Sequence, residues 1–262
     1  MIVGATEQYF NQRRDDATMP RVIGGIVIVL GVILVLFVAG ILYWQLVVAE
    51  GAYLGTRVVA LLYDWFAPRY DGVKQYDKTT DAVMLALPVM QHLRTHPHPQ
   101  PLSQRERGAR VLDVATGTGR MPDVLLAQPR FKGHIVAIDA SAKMLGRAHA
   151  KLARYSERIT FMQHDAQSLP FDDASFDAVT CLEALEFMRD WRQAVREMLR
   201  VLRPGGLLMV SNRIGPDAWK LPGRSLRTDE FSTWLREIGL PDAHAQSWLV
   251  DYDLIIGVKK TE

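Results

Sequence analysis

An acidic residue and two glycines lie close together in residues 111–120, which read VLDVATGTGR. Asp113 stands within an apolar run typical of a buried strand, and Gly117 and Gly119 follow it before a helix-like segment. Glycines at such a turn let the backbone approach a ligand closely, because they carry no Cβ atom. The segment therefore predicts a strand, a tight turn and a helix N-terminus that together hold a small molecule.

The residues after the turn restrict the kind of ligand. A pyrophosphate-binding fingerprint needs a third small residue three positions after the second glycine. Here Gly119 is followed by Arg120, Met121 and Pro122, and no Gly-Lys-Ser/Thr follows as a Walker loop requires. The ligand that these observations leave is a nucleoside without a pyrophosphate.

Two further acidic residues end apolar runs that read as strands. Asp139 closes residues 131–139, twenty residues after Gly119, where a carboxylate can accept hydrogen bonds from both ribose hydroxyls. Helix capping is the alternative for Asp139, but Ser141 already suits that role. Asp165 follows residues 159–164 and could accept from an adenine amino group or cap the next turn.

The remaining pattern alternates strands and helices. Helices are predicted over 141–155, 190–202 and 228–238. Residues 169–179 lead into the fourth strand, and the fifth strand ends the segment 200–210. Two short strands, 245–250 and 254–259, form a final hairpin. This order predicts a doubly wound, mostly parallel α/β sheet. Ligands in such sheets bind beyond the carboxyl ends of the strands, which is where the acidic residues fall.

In order and spacing these motifs resemble the Rossmann-like, class I S-adenosylmethionine-dependent methyltransferases over about residues 105–258, and especially the branch that includes the quinone-biosynthesis C-methyltransferases. The resemblance implies a seven-stranded sheet with an antiparallel last strand, S-adenosyl-L-methionine as methyl donor and no metal. It also implies the cofactor-binding residues Tyr70, Asp113, Ala115, Thr116, Gly117, Gly119, Asp139, Ala140, Asp165, Ala166 and Cys181.

Two of these positions carry alternatives. The family often has glycine where Ala115 stands, although alanine occurs there in the quinone-modifying branch. Cys181 is the single cysteine, which excludes an internal disulfide, and a small buried hydrophobe is a more ordinary role for it than nucleophile.

Methyl transfer from a sulfonium chiefly requires alignment of the reacting atoms in a dry pocket. An oxygen or carbon acceptor can also need proton removal, for which Glu183, Glu186 and His164 are the nearest candidates. Glu183 and Glu186 share one helical face by their spacing, so a solvated first turn is the alternative. The sequence assigns no base.

Residues 22–48 form the second informative segment, after a predicted N-terminal tail of residues 1–21. No charge occurs between Arg21 and Glu50, and a run of about 20 apolar residues can cross a bilayer as a helix. Tyr43 and Trp44 stand at one end, where such rings favour the membrane interface. A buried core helix and a cleaved signal peptide are the alternatives, but both are usually shorter.

The orientation of this predicted single-pass span rests on chemistry. Arg13, Arg14 and Arg21 precede the span while Arg57 and Arg69 follow it, so the positive-inside count is close to a tie. The methyl donor is made in the cytoplasm, which places the catalytic domain (105–262) on the cytoplasmic side.

Residues 49–104 are expected to form juxtamembrane or lid helices and a linker. A helix over 57–71 should end at Pro68, and it could lie on the membrane with Trp65 and Phe66 inserted, or pack on the edge of the domain. By resemblance it folds over the pocket, with Tyr63, Tyr70 and Tyr76 as lid residues. Three histidines among prolines, His92, His96 and His98, favour a linker over a metal site.

Composition and the predicted span restrict the kinds of partner. With 262 residues, 23% charged residues and a net charge of +2, the chain is no typical nucleic-acid binder. The bilayer and a small, lipid-soluble acceptor such as a quinone are the expected partners. Trp219 and Leu221 could line the acceptor pocket, with Arg213 or Lys220 holding a polar head.

Two other functions stay open from the sequence alone. A non-catalytic membrane scaffold or sensor that binds the nucleoside would keep the same turn and acidic residues. A nicotinamide-dependent reductase is disfavoured because the third small residue of its fingerprint is missing.

Overall fold

The computed structural model describes residues 25–74, 76–96 and 108–261. These divide into two compact units, Met1–Val48 and Ala49–Glu262. The predicted tail, the first residues of the predicted span, His98 and the predicted linker residues 97–104 lie outside the described residues.

The first unit contains the helix α1 (Gly25–Val48), whose last turn, Trp44–Val48, is π-helical. Its 24 residues correspond to about 36 Å at 1.5 Å per residue, which exceeds the hydrocarbon thickness of a bilayer. Most of its apolar side chains are exposed.

The second unit is built on one seven-stranded sheet. Its strands are β1 (Arg110–Val114), β2 (His134–Asp139), β3 (Ile159–Gln163), β4 (Phe176–Cys181), β5 (Leu202–Arg213), β6 (His244–Leu249) and β7 (Tyr252–Val258). Their order is β3-β2-β1-β4-β5-β7-β6. Strands β1 to β5 are parallel and β7 is antiparallel to both neighbours, so the predicted doubly wound, mostly parallel sheet is confirmed.

The helices of this unit lie between and before the strands. They are α2 (Thr56–Val73), α3 (Lys78–Asp81), α4 (Leu87–Thr95), α5 (Arg120–Leu126), α6 (Ala142–Lys151), α7 (Trp191–Val201), α8 (Gly215–Trp219) and α9 (Thr228–Glu237). A π-helical segment, Ala82–Ala86, joins α3 to α4, and short 3-10 turns span Ala153–Arg158 and Leu185–Phe187.

Alternate residues of the strands feed two hydrophobic cores, one on each face of the sheet. Leu112 and Val114 of β1 face the core formed with α7 and α9, whereas Val111 faces the core formed with α4 and α5. Helices therefore cover both faces of the sheet. Asp113 is a buried acidic residue among the apolar residues of β1.

Side chains at the helix starts follow the sequence prediction. Ser141 caps α6, because its hydroxyl accepts a hydrogen bond from the amide of Met144 at 3.1 Å. Asp190 caps α7 by accepting from the amide of Gln193 at 2.9 Å. Both helices thus begin where the sequence places them.

The prediction that Pro68 ends its helix is wrong, since α2 continues to Val73. A proline inside a helix removes one backbone hydrogen bond. Residues beyond it compensate by tertiary contacts: Asp71 accepts from the Thr118 hydroxyl at 2.6 Å and the Lys151 ammonium at 2.9 Å.

Two other boundaries also differ. The final hairpin turns at Val250 and Asp251: its first strand ends one position and its second begins two positions earlier than predicted, because Tyr252 already pairs with Arg213 in the sheet. His92 is not in a linker: it is buried in the last turn of α4, where its Nε2 lies 3.0 Å from the carbonyl oxygen of Gly205. Its ring also stacks on His96 at 4.5 Å.

Candidate functional site

A pocket opens at the carboxyl edge of the sheet, where the strand order reverses around β1 and β4. Crevices at this position are the usual ligand sites of doubly wound folds. The pocket is lined by Thr56, Val59, Ala60, Tyr63, Tyr70, Tyr76, Asp113, Ala115, Thr116, Gly117, Thr118, Arg120, Met121, Asp139, Ala140, Ser141, Met144, His164, Asp165, Ala166, Leu182, Glu183, Ala184, Phe187 and Met188.

The turn after β1 forms one wall of this pocket and has left-handed backbone at three positions. The φ angles are +54° at Ala115, +55° at Gly117 and +83° at Gly119. Alanine at the first of these costs about 1 kcal/mol relative to glycine. The turn is closed by the amide of Gly119, which donates to the carbonyl oxygen of Thr116 at 2.8 Å.

The two glycines have different surroundings. A Cβ atom on Gly117 would meet nothing within 4 Å, whereas one on Gly119 would lie 2.9 Å from Cδ1 of Leu152 and 3.3 Å from Cβ of Ala148. Gly117 lines the pocket, and Gly119 packs against the end of α6. One glycine therefore leaves room for a ligand and the other lets the turn dock on the domain.

Asp139 ends β2 and joins this turn. Its Oδ2 accepts from the amide of Gly117 at 2.8 Å, and its Oδ1 accepts from the amide of Ser141 at 2.8 Å. Burial nevertheless raises the pKa of the carboxyl. A carboxylate offers about four acceptor positions, so this one retains capacity for hydroxyl donors in the pocket.

Asp113 lies at the base of the pocket and is 2% exposed. Its carboxylate accepts from the hydroxyl of Thr180 at 2.6 Å. Burial raises its pKa to about 6, which the hydroxyl groups of Thr116 and Thr180 only partly oppose. The hydroxyl oxygen of Thr116 is itself buried beside this carboxylate.

Residues after β3 form the far end of the pocket. His164, Asp165 and Ala166 line it together with Ala140. Nδ1 of His164 lies 3.0 Å from the carbonyl oxygen of Asp165, and the carboxylate of Asp165 accepts from the amide of Gln167 at 2.9 Å. Asp165 thus caps a turn and faces the pocket at once.

The opposite wall is the helix α2, which packs along α6 and covers the sheet edge. Thr56, Val59, Ala60, Tyr63 and Tyr70 of α2 line the pocket, and Tyr76 joins them from the segment after the helix. The three predicted lid tyrosines therefore surround one pocket. Their rings form an aromatic wall with Phe187, whose centroid lies 5.8 Å from that of Tyr63.

Hydroxyl groups of the lid are paired. The Tyr63 hydroxyl donates to the Glu50 carboxylate at 2.8 Å, and the Tyr76 hydroxyl donates to that of Tyr70 at 3.3 Å. Burial raises the pKa of each of these tyrosines. They are consequently neutral hydrogen-bonding groups near neutral pH and cannot serve as phenolate bases.

Carboxylates hold α2 over the pocket. Asp64 accepts from the Ser141 hydroxyl at 2.5 Å and from the Lys143 amide at 3.0 Å, which fixes α2 to the start of α6. One turn past Pro68, Asp71 is bound by Thr118 and Lys151 as described above, and by Arg147 at 3.2 Å. The lid is thus attached to the domain mainly by charged and polar side chains.

Arg120, the first residue of α5, connects the glycine turn with the lid. Its guanidinium donates twice to Asp81, at 2.8 and 2.6 Å, and once to Glu183 at 2.5 Å. It also lies 3.8 Å from the ring centroid of Tyr76 and 4.6 Å from that of Trp248. The side chains of Arg120, Asp81 and Glu183 are 11%, 4% and 7% exposed, so these charges depend on one another.

The two candidate glutamates have different surroundings, and neither sits in a solvated helix turn. Glu183 lines the pocket, in a left-handed conformation (φ +51°), and pairs with Lys74 as well as Arg120. Glu186 lies outside the pocket lining of the described chain: it is 1% exposed and pairs with Arg213 at 3.1 Å and with the Tyr252 hydroxyl. Burial raises the pKa of Glu186.

Within the described part of the chain, Gly119 and Cys181 are the two predicted cofactor residues that do not line the pocket. Gly119 supports the turn from behind. Cys181 ends β4 in the hydrophobic core, where burial raises the pKa of its thiol well above the usual range. Its surroundings are those of a small apolar residue.

The predicted acceptor loop lines a separate depression. Trp219 and Leu221 border it together with Arg213. Leu221 is buried, while Trp219 is 81% exposed. Arg213 is already paired with Glu186, and Lys220 with Asp217.

Several lining residues were not predicted from the sequence. Arg120 carries a signal that was available, namely a charge directly after the glycine turn at the start of an apolar helix. Phe187 and Met188 follow β4 without a motif, and Asp64, Asp71 and Asp81 gain their roles only from distant partners.

Comparisons with known proteins agree with this geometry. Residues 112–210 match the family described as methyltransferase domain. The ubiquinone/menaquinone biosynthesis C-methyltransferase UbiE of Hahella chejuensis is 44% identical over 105 residues, covering 39% of this chain and 42% of that protein. The demethylmenaquinone methyltransferase of Deinococcus radiodurans is 36% identical over 154 residues, covering 59% of each chain. The chain thus spans about two to three fifths of the length of these relatives.

Solved structures share the fold. The [4+2]-cyclase SpnF superposes with a TM-score of 0.59 at 22% identity, covering 79% of this chain and 97% of that one. The DszA carbon methyltransferase gives a TM-score of 0.57 at 14% identity, covering 79% and 67%. Fold and site together define a nucleoside-binding α/β domain. With the family match, residues 112–210 are similar to a methyltransferase domain, and the relatives named above are S-adenosylmethionine-dependent methyltransferases.

Proposed function

We propose that this chain is a membrane-anchored enzyme that transfers the methyl group of S-adenosylmethionine to a ring carbon of a lipid-soluble, quinone-type acceptor. The observation that carries the proposal is a pocket with the glycine turn and Asp139 on one wall and the aromatic lid on the other. The relatives named above as quinone-biosynthesis methyltransferases support the acceptor class.

The cosubstrate assignment uses the acidic residues at the strand ends. Asp139 accepts from the ribose hydroxyls, Asp165 with Ala166 contacts the adenine, and Asp113 with Thr116 faces the methionine part. Gly117 leaves the space that the ligand needs, and the Thr116 hydroxyl lines the pocket beside Asp113. Tyr70 closes this half of the pocket from the lid.

The acceptor half is the aromatic wall. An aromatic ring can pack against the surface that Tyr63 and Phe187 form together, by edge and face contacts. The neutral hydroxyls of Tyr70 and Tyr76 are placed to hold an oxygen of that ring. The cosubstrate supplies the activated methyl group, and the protein contributes alignment and exclusion of water. The displaced ring proton leaves to solvent or to His164, a base candidate that lines the pocket.

Membrane anchoring rests on α1, whose length and apolar surface fit a single span. The catalytic domain lies on the cytoplasmic side, where the methyl donor is made. Tethering raises the effective concentration of the enzyme near a membrane-dissolved acceptor.

The first test is calorimetric titration of the full chain in detergent with S-adenosylmethionine, S-adenosylhomocysteine and NADH. We expect binding of the first two and none of NADH. Asp139→Ala should weaken binding about 100-fold or more, because charged hydrogen bonds are lost and two amides lose their acceptor. The exposed carboxylate variant Asp172→Ala is the control.

The second test is transfer of labelled methyl groups with vesicles that contain a demethylated quinol, compared with plain phospholipid vesicles and a soluble catechol. Label on the quinol supports the proposal. Label on phospholipid alone would show that the acceptor is a phospholipid and not a quinol. Cosubstrate binding without any transfer would favour the scaffold or sensor alternative.

A further inference from the structure

The lid helix α2 has two apolar faces. Its inner face lines the pocket with Val59, Tyr63 and Tyr70. At 100° per residue, Leu61 and Trp65 project on the opposite side. They are 66% and 71% exposed, although both are large and apolar.

This outer face also carries positive charge. Arg57 and Arg69 are exposed beside Leu61 and Trp65, and the guanidinium carbon of Arg69 lies 5.8 Å from the ring centroid of Trp65. A helix on a soluble domain normally presents polar residues to water. Exposed Trp and Leu flanked by arginines are instead typical of a helix that lies in the interface of an anionic membrane.

The connection between α1 and α2 is short. Seven residues, 49–55, lie between Val48 and Thr56, and even a fully extended connection from Val48 to Thr56 reaches only about 28 Å. The segment is shortened further by two turns, in which the amides of Ala52 and Leu54 donate to the carbonyls of Ala49 and Gly51, each at 2.8 Å.

A contact also links this segment to the pocket. Glu50, two residues beyond α1, accepts a hydrogen bond from the hydroxyl of Tyr63, which lines the pocket from α2. The juxtamembrane segment is therefore hydrogen-bonded to the lid.

We propose that the outer face of α2, defined by Arg57, Leu61, Trp65 and Arg69, lies in the headgroup region of the bilayer that holds α1. The lid then opens toward the lipid phase, from which the acceptor enters. This inference rests on the proposed membrane anchoring. A second copy of the chain is a poorer occupant, because an antiparallel two-fold pairing of these faces brings Arg57 of one copy against Arg69 of the other.

The test places a fluorescent label on single introduced cysteines in the full chain, reconstituted in vesicles with spin-labelled lipids. The native Cys181 is fully buried, and the unmodified chain serves as the labelling blank. Leu61→Cys reports the outer face, Phe37→Cys reports the span, and Lys132→Cys, exposed just before β2 at the opposite edge of the sheet, is the control.

We expect strong quenching at positions 61 and 37 and none at position 132. Quenching at position 37 without quenching at position 61 overturns the inference and leaves the anchor in place. Quenching at neither position overturns the anchor itself. Protection of position 61 from aqueous quenchers without lipid quenching would indicate a contact between copies, which also overturns the inference.

A kinetic experiment addresses acceptor entry. Leu61→Gln with Trp65→Gln should raise the apparent KM for a vesicle-borne acceptor about tenfold or more, since both apolar side chains would be lost from the membrane interface. S-adenosylhomocysteine affinity and turnover on the same acceptor dispersed in detergent should stay unchanged. Val83→Gln, an exposed apolar position away from α2, is the matched control. An unchanged KM in the double variant would count against entry beneath the lid.

Discussion

The two walls of the pocket are held in place by different forces. The sheet wall consists of strand ends and the turn after β1, fixed by backbone hydrogen bonds such as that from the Thr116 amide to the Ile138 carbonyl at 2.9 Å. The lid wall is held by carboxylates that bind side chains far away in the sequence, such as Asp64 on Ser141.

This difference separates the two binding tasks. A turn fixed by its own backbone is rigid and suits a cosubstrate that every family member shares. A lid held by a few ion pairs and hydroxyl groups can detach at a modest free-energy cost, since such contacts are worth about 1 kcal/mol each where water reaches them. Under the proposed function, the acceptor would enter and leave through the lid while the turn keeps its place.

Loss of Arg120 is expected to have the largest effect, because this residue joins the two walls. Arg120→Ala leaves the buried carboxylate of Asp81 without its bidentate partner and removes one partner of Glu183. Breaking a buried pair in this way costs about 3 to 5 kcal/mol. Chemical denaturation should show this loss.

Arg154→Ala is the control for this variant. Its side chain is 63% exposed and reaches Asp123 at 3.4 Å, so its loss should be nearly silent. Equal stability losses in the two variants would show that the walls are not coupled through Arg120.

Local sequence signals explain why most of the sheet wall was predictable. The order of strands, the acidic residues Asp113 and Asp139 and the N-cap Ser141 all depend on neighbours along the chain, so period and capping rules find them. The lid is different. Pro68 predicted a helix end because the rule considers the backbone alone, whereas the helix continues and Asp71 binds Thr118 of the glycine turn.

The ion pairs of the two glutamates could not be predicted from the sequence either. Spacing placed Glu183 and Glu186 on one face, but their partners come from three other parts of the chain: Lys74, Arg120 and Arg213. No local rule predicts which carboxylate a distant cation will bind. Trp65, by contrast, was a candidate for the membrane surface from its type and position, and its exposure is consistent with that interpretation.

The sheet wall should show its own pH dependence through Asp113. Its carboxyl titrates near 3.8 in the unfolded chain and at about 6 in the folded protein. Between these values the folded protein binds more protons, so the free energy of unfolding falls as pH rises, by about 3 kcal/mol in total.

Asp113→Asn should remove this contribution while keeping an acceptor for Thr180. Unfolding curves from pH 4 to 7 should therefore fall more steeply in the unmodified chain than in the variant. Parallel curves would show that Asp113 titrates normally.

The two glycines of the turn sharpen the contrast within the sheet wall. Gly119→Ala should lower stability by about 1 to 2 kcal/mol or more, because its φ is +83° and its Cβ would crowd Leu152. Gly117→Ala has open space and should lower stability less, but it should weaken S-adenosylhomocysteine binding. Thermal unfolding and calorimetry on both variants test this, and equal effects on both quantities would contradict the division of roles.

The smallest expected effect concerns the lid wall alone. Hydrogen bonds from Thr118 and Lys151 outweigh burial and lower the pKa of Asp71, so it is charged at neutral pH. Asp71→Asn keeps the shape but removes that charge, which should cost about 1 kcal/mol because the site is partly exposed. The variant should open the lid more often, seen as faster hydrogen exchange in α2 with unchanged exchange in β1. Asp173→Asn, whose side chain is 79% exposed beside Arg200, is the matched control. Faster exchange in β1 as well would mean that the lid and the sheet wall open as one unit.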